Sequence, residues 1–149
     1  MRARVTWLDH MSFVGESPNG NAVVMDGPPE SGGRDLGTRP MEMVLLGLGG
    51  CTAYDVVYIL KRGRQAVTGC EVFLDAERAT TVPKVFTKIH LTYVITGHKL
   101  DPSQVERAVK LSAEKYCSVS RMLEATVSLS HSTTIREATE GFDGTAEPS

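Results

Sequence analysis

Three cysteines, Cys51, Cys70 and Cys117, carry the most reactive side-chain chemistry in this 149-residue chain. Cys51 closes the stretch VLLGLGGC (44–51), in which three of eight positions are glycine. An interior glycine destabilises a helix by about 0.5–1 kcal/mol relative to alanine, so bare backbone just before a thiol needs a reason. At helical spacing Met43, Gly47, Cys51 and Asp55 share one face, with Gly50 and Tyr54 beside it. Gly47 and Gly50 then clear the surface beneath the thiol, either for a helix crossing or for a backbone or substrate that approaches the sulfur. Asp55, one turn on, opposes a thiolate unless a cation intervenes.

Cys117 lies in AEKYCSVS, where one helix ends and another begins, with Lys115 and Arg121 nearby. A helix N-terminus and neighbouring cations both favour a thiolate; a buried, inert cysteine at a helix junction is the alternative. Cys70 follows Thr68-Gly69 at the start of a strand, without activating neighbours, and reads as structural. No CxxC, HxH or HExxH spacing occurs and the four histidines are scattered, so no metal site is expected. Gly32-Gly33 lacks the GKS/T ending of a phosphate loop, and there is no G-x-S-x-G elbow. No cofactor is implied.

The elements that must position these thiols follow from patterning. Residues 2–8, 11–15 and 21–25 read as short strands of an antiparallel meander, with Ser17-Pro-Asn-Gly20 as a turn. Residues 27–37 (GPPESGGRDLG) predict an exposed, mobile loop. Thr38-Arg39-Pro40 opens a helix that runs to about Arg62; from Met43 to Leu60 it is apolar on nearly every face, interrupted only by Thr52 and Asp55. Such a helix is central to a core or to a subunit interface. Residues 67–79 and 84–96 form a long hairpin, the second arm with an apolar face of Val85, Thr87, Ile89, Leu91, Tyr93 and Ile95. Asp101 and Pro102 start a second helix, buried along Val105, Ala108, Val109 and Ser112, with a break near Cys117–Ser118 and a short helix through Leu123. A last strand fits 125–135. The expected class is α+β: one domain over residues 1–138 and a flexible tail at 139–149.

The formal net charge of −2 and the absence of a basic run argue against nucleic acid or an anionic membrane as partner. Lys61, Arg62 and Arg64 are explained by the end of the first helix. The N-terminus lacks a signal-peptide core, and no segment is expected to span a bilayer, so the cytoplasm is the default location.

This organisation resembles the OsmC/Ohr family, and within it the YhfA-like branch, over nearly the whole chain from Arg2 to about Ile135. The resemblance rests on RPMEMVLLGLGGC (39–51) and LSAEKYCSVSRML (111–123). It implies an OsmC-like fold in an intertwined homodimer, with the long helices packed centrally and the sites at the subunit interface. It also implies a thiol peroxidase for oxidative-stress defence. Cys51 would attack a hydroperoxide and become a sulfenic acid, Cys117 would condense with it to a disulfide, and an external dithiol would restore both thiols. In the family an arginine holds the attacking thiolate and a helix-opening glutamate positions it; here Arg39 and Arg34 stand nearest to the arginine's role and Glu42 to the glutamate's. The alternative is a non-enzymatic dimer that binds a small apolar ligand or senses oxidants.

Overall fold

The computed structural model describes residues 1–140 and falls into two compact units, Met1–Gly47 and Leu48–Ser149. The tail expected at 139–149 lies, from residue 141 on, outside the described residues.

In the first unit, β1 (Arg4–Asp9), β2 (Ser12–Glu16) and β3 (Ala22–Met25) form the expected antiparallel meander in the order β1-β2-β3. The loop that follows is mostly exposed, as expected, and is anchored at its start by one buried side chain. Asp26 is 2% exposed, and its carboxylate accepts from Ser12 Oγ at 2.9 Å and from the backbone N–H groups of Gly27, Leu36 and Arg34 at 2.8, 3.2 and 3.4 Å. Burial alone would push this carboxyl upward; the four donors outweigh it and hold it below the ordinary carboxylate range. Pro-Pro and Gly-Gly pairs signal a loop but carry no information about its anchoring. A single 3₁₀ turn at Pro29–Ser31 ends on Gly32, whose φ of 84° suits glycine.

Helix α1 (Pro40–Arg62) starts and stops where its sequence signals lie. Glu42 returns to the helix opening, accepting from the Arg39 backbone N–H at 3.0 Å, as in a capping box. By length and composition α1 could cross a membrane, with a mean hydropathy of 1.7 over its most apolar window, which corrects the expectation that no segment qualifies. The glycines do not lower its hydropathy enough to disqualify it. What the second unit takes from it is the i, i+4 stripe Leu48, Thr52, Val56 and Leu60, all buried.

The second unit is built on β4 (Ala66–Arg78) and β5 (Phe86–His98), which pair antiparallel, and β6 (Ser128–Glu137), which pairs with β5 in parallel. The sheet is therefore mixed, whereas an antiparallel one was expected. A parallel return needs a crossover, and α2 (Pro102–Leu111) and α3 (Ser118–Leu123) supply it. The central strand β5 buries Ile89, Leu91, Tyr93 and Ile95 of the predicted face, and also Phe86 and Val94 of the other; Val85 and Thr87 at its start stay exposed. In α2, Asp101 caps the helix by accepting from Ser103 N–H at 2.9 Å, and Val105, Ala108, Val109 and Ser112 are all buried as predicted.

Candidate functional site

Helix α2 does not run on to Cys117 as a regular helix. Residues Ser112–Tyr116 widen into one π-helical turn, closed by the Cys117 N–H donating to Ser112 C=O at 2.9 Å. The extra residue swings Cys117 out of the helical path into an extended conformation (φ −70°, ψ 106°), where it caps α3. Its Sγ accepts the Ser120 N–H at 3.4 Å. π-turns recur at functional sites, and this one ends α2 at the residue that carries the thiol.

The displacement brings the two sequence-predicted cysteines together. The Sγ atoms of Cys51 and Cys117 and a carboxylate oxygen of Asp55 all lie within 4.8 Å of one another. Cys51 and Asp55 are half-buried and Cys117 is buried. Burial pushes the Cys117 thiol above the ordinary thiol range and the neighbouring Cys51 adds to this, while the two interactions with Ser120 pull the other way. Cys70, on β4, stands apart from this group and is likewise pushed up, by burial and then by Glu71.

A polar chain beneath the thiols escaped the sequence reading. Thr52 Oγ1 lies 2.6 Å from the Tyr93 hydroxyl and 2.8 Å from Ser112 Oγ, and Ser112 Oγ donates to Asp55 Oδ2 at 3.0 Å. Each hydroxyl has one proton. With the Ser112 proton committed to Asp55, the Thr52 proton goes to Ser112 and the Tyr93 proton to Thr52, so the chain runs in one direction and ends on the carboxylate. Burial raises the Tyr93 hydroxyl above its usual range, which keeps it a donor. The signal that could have found it is that Thr52 and Asp55 alone interrupt the apolar run from Met43 to Leu60.

Gly47 and Gly50 face open space as expected, whereas Gly49 does not. Gly49 packs inside the unit: a Cβ there would stand 2.9 Å from Leu74 Cδ1. Around Gly47 and Gly50, apart from the adjoining residues and backbone of the helix itself, nothing among the described residues lies within 4 Å of such an atom. Next to Gly50, an apolar groove of about 490 Å³ is lined by Ala53, Tyr54, Val57, Tyr58, Lys61 and Cys70. Tyr54 and Tyr58 stack at 6.4 Å between ring centroids, with Tyr54 73% exposed. Arg39 and Glu42 belong to the first unit. Their side chains are 3.8 Å apart, and the Arg39 guanidinium also reaches Asp35 at 2.9 Å.

A family model described as OsmC-like protein matches residues 32–132. The chain is 52% identical over 132 residues to Protein YhfA of Escherichia coli strain K12, covering 89% of this chain and 96% of that one. A crystal structure of a hypothetical protein from Aquifex aeolicus VF5 is similar at 30% identity and a TM-score of 0.81, over 93% of this chain and 97% of that one. The fold is shared with an organic hydroperoxide resistance protein OsmC from Legionella pneumophila, at 16% identity and a TM-score of 0.65, over 89% and 95% of the two chains.

Proposed function

Since the chain belongs to the OsmC-like family, we propose that it is a thiol-dependent peroxidase acting on organic hydroperoxides or hydrogen peroxide in oxidative-stress defence. The observation that carries this reading is the approach of the Cys51 and Cys117 sulfurs to within 4.8 Å. The Cys51 thiolate attacks the distal oxygen of the peroxide and the O–O bond breaks. The leaving alkoxide or hydroxide takes a proton, and Cys51 becomes a sulfenic acid. The Cys117 thiolate attacks that sulfur, hydroxide leaves as water after taking a proton, and a disulfide forms. A cytoplasmic dithiol then returns both thiols.

The reading also assigns Arg39 and Glu42 to positioning the attacking thiolate, in a homodimer whose α1 helices meet. Support for the pair is their mutual contact at the helix opening. Support for the dimer is the unpartnered apolar groove beside Gly50, Tyr54 and Tyr58.

Intact-mass measurement after stoichiometric cumene hydroperoxide tests the whole sequence on metal-free protein. Wild type should lose two hydrogens, Cys117→Ser should gain one oxygen, and Cys51→Ser should be unchanged. Arg39→Ala should slow the first step about tenfold or more, the worth of one charge-assisted hydrogen bond. If Cys51 stays reduced in excess peroxide, the peroxidase reading fails and a ligand-binding dimer takes its place.

A further inference from the structure

The donor atoms of Cys51, Asp55 and Cys117 lie within 4.8 Å of one another, and we propose that they bind a thiophilic divalent cation of the zinc type. This goes beyond the peroxidase reading and does not depend on it. Around a tetrahedral ion, thiolates at about 2.3 Å and a carboxylate oxygen at about 2.0–2.2 Å stand roughly 3.5–3.8 Å from one another. The three donors, all within 4.8 Å, reach that geometry by side-chain movements of about an ångström. A disulfide asks for more, because the sulfurs must close to about 2.05 Å. Two thiolates select zinc over magnesium or calcium, which prefer oxygen ligands.

The surroundings are those of a metal site. Ser112 holds Asp55 Oδ2 at 3.0 Å and is itself held through Thr52 by Tyr93, an outer shell that fixes the carboxylate's orientation. The Ser120 N–H aimed at Cys117 Sγ supports a thiolate there. Cys51 and Asp55 occupy successive turns of α1 and are half-buried, which leaves the ion a route in, and water fills the fourth position. Binding is not a redox step. The ion replaces the thiol protons of Cys51 and Cys117, both of which pass to solvent, so the site carries one net negative charge before and after. The cation that Asp55 calls for beside a thiolate is then the metal itself.

Sequence spacing could not reveal this, because Cys117 reaches Cys51 and Asp55 only through the fold. The test titrates reduced, untagged protein with zinc chloride against a chromogenic chelator. Wild type and Cys70→Ser should each bind one zinc per chain with release of protons, and cobalt should give the absorption of a tetrahedral thiolate site. Cys51→Ser should lose stoichiometric binding, Asp55→Asn should weaken it tenfold or more, and Ser112→Ala about tenfold. No zinc bound by reduced wild type, equal binding by Cys51→Ser, or loss of binding in Cys70→Ser overturns the proposal. Should Cys51→Ser fail to fold, iodoacetamide labelling of zinc-loaded wild type decides. Protection of Cys51 and Cys117 relative to Cys70 supports the site, and zinc-independent labelling overturns it. The peroxide assay uses metal-free protein, so either result stands without the other.

Discussion

Ser112 donates its hydroxyl proton to Asp55 across 3.0 Å, and so ties the turn that ends α2 to the helix that carries Cys51. Because Cys117 hangs from the far end of that turn, the same bond holds the two thiols in register. Three hydroxyls and one carboxylate thus act as a strut between elements that are distant in sequence.

Thr52 is the middle of that strut. Thr52→Val keeps its shape but leaves the buried Tyr93 hydroxyl without its acceptor and Ser112 without its donor. The expected cost is about 1–3 kcal/mol of unfolding free energy, read from urea denaturation. Unchanged stability would mean that the strut does not hold in solution.

The Cys117 thiol, raised by burial, sets the pH dependence of the second chemical step. Its thiolate fraction rises about tenfold per pH unit until the pH reaches its pKa. Disulfide formation from the Cys51 sulfenic acid should therefore accelerate continuously through neutral and mildly alkaline pH, without a plateau in the ordinary thiol range. Stopped-flow measurement of the second phase checks this; a plateau near neutral pH contradicts it.

Asp26 should make the first unit sensitive to acid. Its folded-state pKa is depressed, so its contribution is fully present above the ordinary carboxylate pKa and is lost as the pH falls through the lowered value. Amide exchange at Gly27, Arg34 and Leu36 should be slow at neutral pH and accelerate only in strong acid. In Asp26→Asn it should already be fast at neutral pH. Equal protection in that variant would remove the carboxylate from this role.

Much of this protein is legible in its linear pattern. Pro40 and Gly63 bracket α1, Asp101 and Pro102 start α2, and the alternation of β5 marks its buried face, because caps and hydrophobic periods act over a few residues. The two cysteine motifs also pointed to the family to which the chain belongs. Three features depended on tertiary structure. The parallel seat of β6 depends on a crossover, since strand patterning carries no direction. The anchoring of residues 27–37 depends on Asp26, which joins Ser12 of β2 to backbone N–H groups of the loop itself. The meeting of Cys51, Asp55 and Cys117 depends on a single π-turn, a one-residue change of helical phase that no composition or period announces. Short-range rules wrote the elements, and long-range packing decided which side chains share a site.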